Sequence, residues 1–220
     1  MRIQPLITIH YTSDFKKKIQ NFPIFSSSHI PNLTDNEQVL RNQLTQWQKQ
    51  GLIFRLKKGL YILNETDRKI SPSRLFIASS LLSPSYISTE YALSFYSLIP
   101  EKVEDVTSVT TKKTASFKNI LGTFYYQHLN IPSFLGFRQL KDESDLPVFI
   151  AEPEKALVDF FYLNLSNFDK DDKDIFKYSY RFQNLSDLNI ENLRDFTQTF
   201  LSKKLLRVVE SFCSFIKLEE

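Results

Sequence analysis

The side chains best suited to chemistry in this sequence lie on one short segment, residues 35–50. Asn and Gln carry amide groups that can form paired hydrogen bonds with adenine, and the Arg guanidinium pairs with guanine in the same way. Thr and Lys can add contacts to bases or phosphates. The candidate DNA-contacting residues of this segment are Gln38, Arg41, Asn42, Thr45, Gln46 and Lys49. The alternative is an ordinary solvated helix face, which the same residue types serve equally well.

The apolar residues of this segment predict the helix that would position those side chains. Leu40, Leu44 and Trp47 are spaced at i, i+4 and i+7, which places them on one face of a helix. Gly51 is a suitable residue to end it. A shorter helix entering at residues 29–30 is expected to come before it. The sequence therefore predicts two helices, of which the second is buried along one stripe and rich in amides along the other.

A basic hairpin is predicted directly after this helix. Residues 52–56 and 60–63 are apolar strand candidates, separated by the turn Lys57-Lys58-Gly59. The turn would place three cations at the tip of the hairpin, and these are the further candidate DNA contacts Arg55, Lys57 and Lys58. A helix that can enter the major groove, followed by a basic ribbon, is typical of a winged helix-turn-helix. A hairpin that is basic only for solubility is the alternative.

The charge of the chain is divided unevenly between its two parts. Residues 1–70 hold 11 Lys and Arg against 5 Asp and Glu, and residues 71–220 hold 17 against 20. A basic first third on a mildly acidic remainder fits a nucleic-acid-binding module joined to a second domain. The polar link at residues 64–71 before Pro72 is the predicted boundary. We therefore predict a DNA-binding domain at 1–70 and a second domain at 71–220.

The second domain is predicted to be α+β. Helices are expected at 74–82, at 89–96 after a cap at Ser88, and from Glu152 onward, with two or three more after the acidic loop 169–174. Strands are expected at 106–110, 123–129, 136–140 and 148–151. Helices flanking a small mixed sheet give an α+β fold class for the chain, with a winged helix at its start.

The residue types that support catalysis or metal binding are scarce or scattered. The four glycines lie too far apart for a dinucleotide fingerprint or a Walker loop. The single cysteine, Cys213, excludes a disulfide framework and a thiolate zinc site. The acidic residues of the 169–174 loop could hold a cation, but their interleaved lysines favour a solvated connector. We expect no catalytic residue, no metal site and no cofactor.

The sequence also indicates where the protein is located. The apolar stretch at residues 6–9 is far too short for a signal peptide and is followed by Lys16, Lys17 and Lys18. No run approaches the ~18 apolar residues needed to span a bilayer. We expect a cytoplasmic protein without a membrane partner. Lys16, Lys17 and Lys18 themselves could belong to a solvated turn or to an arm that contacts phosphates.

Four blocks of this sequence together resemble the AbiEi-type antitoxin family over roughly residues 24–165. The first runs from the end of the predicted helix into the second strand of the hairpin and reads Gln50-Gly51-Leu52-Ile53-Phe54-Arg55-Leu56-Lys57-Lys58-Gly59-Leu60-Tyr61. The others are Tyr86-Ile87-Ser88-Thr89-Glu90-Tyr91-Ala92-Leu93 with Leu98-Ile99-Pro100-Glu101, Val106-Thr107-Ser108-Val109-Thr110-Thr111-Lys112-Lys113-Thr114, and Ile150-Ala151-Glu152-Pro153-Glu154-Lys155-Ala156-Leu157-Val158-Asp159. The segment 1–22 is not explained by the resemblance.

The resemblance implies an antitoxin of a type IV toxin–antitoxin, or abortive-infection, system. It implies that the winged helix binds and represses the operon's own promoter DNA. It also implies that the second domain counteracts a nucleotidyltransferase-like toxin, with or without direct contact. The lysines that could face an acidic toxin surface are Lys112, Lys113 and Lys118. For these three, solvated lysines are the alternative.

Two other functions are weighed against the antitoxin. The chain itself could be the nucleotidyltransferase, but such enzymes share a Gly-Ser pair, and none of the four glycines precedes a serine. The chain could also be a one-component transcriptional regulator whose second domain senses a small ligand, since domains rich in Phe and Tyr often contain apolar pockets. A neighbouring gene for a nucleotidyltransferase-like protein would favour the antitoxin.

Overall fold

Two β-sheets organise the chain in the computed structural model, which describes residues 16–26, 37–168 and 173–219. The first sheet is antiparallel, in the order β1-β3-β2, and is formed by β1 (Phe25–Ser26), β2 (Ile53–Lys57) and β3 (Leu60–Leu63). The second sheet has the order β6-β7-β5-β4-β9-β8 and is formed by β4 (Ser85–Ile87), β5 (Val106–Thr110), β6 (Ala115–Asn119), β7 (Gly122–His128), β8 (Phe137–Lys141) and β9 (Pro147–Ala151). Residues 16–19 are helical and come before β1. Six further α-helices follow within these ranges: α1 (Glu37–Lys49), α2 (Arg74–Leu81), α3 (Thr89–Phe95), α4 (Pro153–Leu163), α5 (Ile190–Gln198) and α6 (Lys203–Glu219).

Helix α1 packs on the three-stranded sheet through a small apolar cluster. We call it the N-terminal cluster; its buried members are Ile19, Phe25, Leu44, Trp47, Ile53, Tyr61 and Leu63. The rings of Phe25 and Tyr61 stack with centroids 5.7 Å apart, which ties β1 to β3. Leu44 and Trp47 come from the apolar stripe of α1, so the predicted helical period positions this face against the sheet.

The β2–β3 hairpin has a second buried face, which belongs to the larger core of the chain. Leu56 is 3% exposed and Ile62 is 1% exposed, and both pack in that core rather than in the N-terminal cluster. The Nδ2 atom of Asn119, on β6, donates to the carbonyl of Leu56 at 3.2 Å. Since successive side chains of a strand alternate between faces, the hairpin lies between α1 and the rest of the protein. The two predicted domains therefore share this hairpin.

The larger sheet is covered by helices on both faces. Tyr126 of β7 donates through its hydroxyl to the carbonyl of Ala78 at 2.6 Å, which fixes α2 on one face. Strand register places Tyr86 and Val109 on the opposite face, where Tyr86 hydrogen-bonds to Asp159 of α4. Helix α3 packs against α4, which in turn packs against α5 and α6.

A cluster of phenylalanines fills the space between α4, α6 and the segment that connects them. Phe161 of α4 and Phe212 of α6 meet with ring centroids 5.1 Å apart in an edge-to-face arrangement. Phe168, Phe176 and Phe182 surround this pair. Such contacts add to the free energy gained by burying the rings. Phe212, Cys213, Phe215 and Ile216 of α6 are all buried.

The predicted α+β class is confirmed, and most predicted elements lie within two residues of the observed ones. The basic hairpin and strand β5 are among them. Strands β1, β4 and β6 were not predicted, and β1 is only two residues long. β4 is only three residues long, and β6 is an edge strand whose exposed positions are Ser116 and Lys118. The short helix at 29–30 and most of the acidic loop (169–172) lie outside the described residues.

Candidate nucleic-acid interface

Five of the six candidate residues on α1 are exposed on one side of the helix. These are Arg41, Asn42, Thr45, Gln46 and Lys49. Behind them Leu44 and Trp47 are only 3% and 1% exposed. Gln38 lies in the first turn of α1, and its side chain, like that of Leu40, is outside the described part of the chain. The helix therefore holds its amide-rich side toward solvent by burying the opposite one.

Hydrogen bonds within α1 distinguish the exposed residues from one another. The Thr45 hydroxyl donates to the carbonyl of Arg41 at 2.8 Å, so its hydrogen is already used and its oxygen remains an acceptor. The side chains of Gln46 and Lys49 make no hydrogen bond to any described residue. Gln46 can thus offer both an amide donor and an amide acceptor to a ligand.

The three basic residues of the hairpin differ in their surroundings. Arg55 and Lys58 are exposed. Lys57 is half-buried, and its Nζ atom donates to the carbonyl of Leu81, at the end of α2, at 2.6 Å. Burial and the nearby charge of Lys112 lower the pKa of Lys57. Lys57 therefore anchors the hairpin to the larger domain, in contrast to the solvent-facing tip position expected from the sequence.

The lysines expected to face a toxin lie beside the hairpin. Lys112, Lys113 and Lys118 are all exposed, on the 111–114 loop and on edge strand β6. The hydrogen bond from Asn119 of β6 to the carbonyl of Leu56 brings this edge strand close to the hairpin. After burial, Lys112 is the nearby charge that lowers the pKa of Lys57. The Nδ1 atom of His128, the last residue of β7, lies 3.0 Å from the carbonyl of Lys112. The residues predicted to contact two different partners are thus near neighbours.

The three lysines at residues 16–18 come before the first strand of the smaller sheet. Lys16 forms an ion pair with Asp67, which follows the hairpin. Lys17 and Lys18 are exposed. One of the three lysines is therefore used to tie the segment around residue 16 to the link after β3, and the structure gives no contact that assigns the other two to an arm.

Comparison with known proteins does not assign this interface to a family. No protein-family model matches the chain, and no curated protein is significantly similar to it. Among the described residues, no helix combines the length and the apolar character that crossing a bilayer requires.

A buried polar network in the larger domain was missed in the sequence. Asp159 of α4 is fully buried and forms an ion pair with Lys155, one turn earlier on the same helix. Its Oδ2 atom accepts hydrogen bonds from the hydroxyls of Ser88 at 2.8 Å and Tyr86 at 3.0 Å. The Lys155 ammonium also lies 4.8 Å from the centre of the Phe200 ring. We call Tyr86, Ser88, Lys155 and Asp159 the buried network.

The buried network corrects the expectation that Ser88 caps α3. Ser88 occupies the cap position, but its side chain makes no capping hydrogen bond and donates to Asp159 instead. Burial raises the pKa of Asp159, and the Lys155 partner opposes that shift. Burial likewise lowers the pKa of Lys155. The available signal was Asp159 inside the apolar run Ala156–Phe161, four residues after the oppositely charged Lys155.

The chemistry of the buried network is structural. Lys155 and Asp159 are both 0% exposed, so neither group can reach a substrate in solution. Every hydrogen-bonding group of Asp159 is satisfied from α4 or from the strand-to-helix junction at residues 86–88. A satisfied network of this kind fixes one arrangement of the elements that supply it. Here it fixes α4 against the end of β4.

Proposed function

We propose that this protein is a DNA-binding repressor and antitoxin whose N-terminal part is a winged helix-turn-helix. In this proposal α1 is the recognition helix and enters the major groove, while the β2–β3 hairpin contacts the neighbouring phosphates. The observation that carries the proposal is the exposed side of α1, where amide, hydroxyl and cationic groups stand together over a buried apolar stripe. Those groups are of the types that read base edges.

The hairpin supports the proposal through its fixed position beside the helix. α1 packs against β2, and the tip residues Arg55 and Lys58 are exposed next to it. The hydrogen bond from Lys57 to the carbonyl of Leu81 holds the end of β2, next to the hairpin turn, against the larger domain. A ribbon that is held in place contributes phosphate contacts without a further loss of conformational freedom on binding. We assign phosphate contacts to Arg55 and Lys58 and a positioning role to Lys57.

The antitoxin part of the proposal is supported by the resemblance of the sequence blocks and by how they meet in the fold. Tyr86 and Ser88 come from one block, and Lys155 and Asp159 come from another. The buried network joins these two blocks through hydrogen bonds between residues more than seventy positions apart in the chain. The blocks are thus parts of one structural unit, which in this proposal counteracts a nucleotidyltransferase-like toxin. The toxin-facing position of Lys112, Lys113 and Lys118 stays a prediction.

The DNA-binding proposal is tested by fluorescence anisotropy with a duplex from the region upstream of the gene and with a scrambled duplex. Gln46→Ala should cost about 1–3 kcal/mol on the upstream duplex and much less on the scrambled one, because base contacts carry the specificity. Lys58→Ala should weaken binding to both duplexes and reduce the slope of log K against log salt by about 1.

Two matched variants control for general damage to the protein. Gln198→Ala removes an exposed amide at the end of α5, and Lys204→Ala removes an exposed charge on α6. Both should bind DNA like the wild type. If Gln46→Ala and Gln198→Ala are indistinguishable, or if Gln46→Ala loses affinity equally on both duplexes, α1 does not read sequence.

The antitoxin proposal is tested by co-expression with the adjacent open reading frame in a heterologous host. The intact chain should restore growth that the neighbouring gene product inhibits. Gln46→Ala should retain rescue but lose repression of a reporter under the upstream promoter. Point variants are preferred to truncation, because removing residues 1–70 would expose the core contacts of the larger domain with Leu56 and Ile62. Growth that is inhibited equally with and without the chain would contradict the antitoxin role.

A further inference from the structure

A groove on the larger sheet shares no lining residue with the candidate nucleic-acid interface or with the buried network. It has a volume of about 710 Å³, which lies within the roughly 300–1,000 Å³ of small-molecule sites. Strands β5, β7 and β6 form its floor, and the start of α3 and the segment before β5 form its wall. Its polar and aromatic lining residues include Glu90, Asp105, Thr107, Ser116, Tyr125 and Gln127.

Strand register places Tyr125 at the centre of this groove. Tyr125 on β7 is the partner position of Thr107 on β5 and of Ser116 on β6. Partner positions in neighbouring strands direct their side chains to the same face of the sheet, as do positions two residues apart such as Gln127. Tyr125 is 43% exposed, so part of its ring is open to a ligand.

The polar side chains of the groove are not used by the protein itself. Within the described chain, no hydrogen bond, ion pair or ring contact is made by the side chains of Glu90, Asp105, Ser116, Tyr125 and Gln127. Thr107 differs, because its hydroxyl donates to the carbonyl of Ser88 at 2.7 Å and accepts from the Tyr91 amide at 3.0 Å. The floor is therefore anchored at Thr107, and the groups around it remain available.

The charge of the lining selects the kind of ligand. Glu90 and Asp105 bring two carboxylates, and no lysine or arginine is among the described residues that line the groove. A second cavity of about 410 Å³ shares Glu90 with the groove and adds Phe160 and Tyr180. Carboxylates beside an open aromatic ring attract cations through charge and through the ring quadrupole.

We propose that this groove binds an organic cation, a guanidinium or alkylammonium group seated between the carboxylates of Glu90 and Asp105 and against the ring of Tyr125. Ser116 and Gln127 add hydroxyl and amide groups for the remainder of the ligand. The cation can be a free small molecule or an arginine or lysine side chain of a protein partner, since both present the same group. This site is independent of DNA binding by α1.

The experiment is a calorimetric titration of the full chain with N-acetyl-argininamide, and with N-acetyl-citrullinamide as an uncharged probe of the same shape. Argininamide should bind saturably, and the citrulline probe should bind at least about tenfold more weakly, because charged hydrogen bonds are the stronger ones. Glu90→Gln and Asp105→Asn should each weaken argininamide about tenfold. Tyr125→Leu should weaken it about two- to fivefold through loss of the ring.

Matched variants and a second probe complete the test. Glu104→Gln removes an exposed carboxylate next to Asp105 but outside the lining, and Tyr178→Leu removes an aromatic ring that is 69% exposed elsewhere. Neither should change the affinity. A Gly-Gly-Arg-Gly-Gly peptide that binds tighter than argininamide would assign the group to a protein partner, and a weaker peptide would assign it to a free ligand. No saturable binding of argininamide, equal binding of the citrulline probe, or equal losses in Glu90→Gln and Glu104→Gln would overturn the proposal.

Discussion

Replacing Asp159 by Asn is the perturbation for which the structure gives the sharpest expectation. Asn keeps the size of the side chain and an oxygen that can accept from Tyr86 and Ser88, whose hydroxyls lie 3.0 and 2.8 Å from the carboxylate. What is lost is the negative charge opposite Lys155, which is 0% exposed. Leaving one charge of a buried pair uncompensated costs about 3–5 kcal/mol. That is a large share of the roughly 5–15 kcal/mol that stabilises a typical domain.

Urea denaturation followed by far-UV circular dichroism measures this loss. Adding Lys155→Met to Asp159→Asn should recover a large part of it, because the double variant buries no charge. The loss of stability in Asp159→Asn should also shrink as the pH rises toward about 9.5. In that range the buried Lys155 of the folded variant has released its proton while the unfolded state still binds one, so the free energy of unfolding rises with pH. Lys141 and Asp145 form an exposed pair with the same spacing, and Lys141→Met should change stability by less than about 0.5 kcal/mol. An Asp159→Asn protein as stable as Lys141→Met would refute this description of the buried network.

Two further expectations concern the hairpin and the terminal helices. Leu56→Ala should lower the free energy of unfolding by about 2–5 kcal/mol. Because the hairpin packs in both cores, the unfolding transitions seen by Trp47 fluorescence and by circular dichroism should shift together. A shift in only one signal would contradict a shared unit, and Leu206→Ala on the exposed side of α6 is the control. The hydrogen bond from Arg194 lowers the pKa of Glu210, so this pair stabilises the fold above the unfolded pKa of the carboxyl and loses its effect as pH falls through the folded one. Thermal unfolding should therefore show Arg194→Met below the wild type near neutral pH, and the difference should shrink as pH falls below the ordinary pKa of the carboxyl. A difference that stays constant with pH would show that the pair is not responsible.

Local patterns predicted the elements whose side chains repeat regularly. The β-branched run at 106–110 is strand β5, and the period of Leu44 and Trp47 places the exposed side of α1. These predictions succeed because burial on one face of an element makes apolar residues repeat at a regular spacing in the sequence. β4 and β6 show no such spacing, because β4 is too short and β6 lies at an edge with polar positions facing solvent.

The surroundings of the hairpin depended on contacts between distant parts of the chain. Its strand segments 52–54 and 60–63 are continuously apolar, a pattern typical of strands buried on both faces. That signal favours cover from the larger domain, but it does not say which residue lies opposite Lys57. Only the fold brings the carbonyl of Leu81 to the Lys57 ammonium. The same holds for the buried network, in which Tyr86 and Ser88 lie more than sixty residues before Lys155 and Asp159.

The measurement that tests the central claim most directly is site-specific photocrosslinking from the exposed side of α1. A benzophenone amino acid at position 46 should crosslink to the upstream duplex, and one at the exposed position 214 of α6 should not. Crosslinking at 46 should be lost when unlabelled upstream duplex competes, and it should survive competition by a scrambled duplex. Crosslinking from position 214 but not from position 46 would contradict the assignment of α1 as the helix that enters DNA.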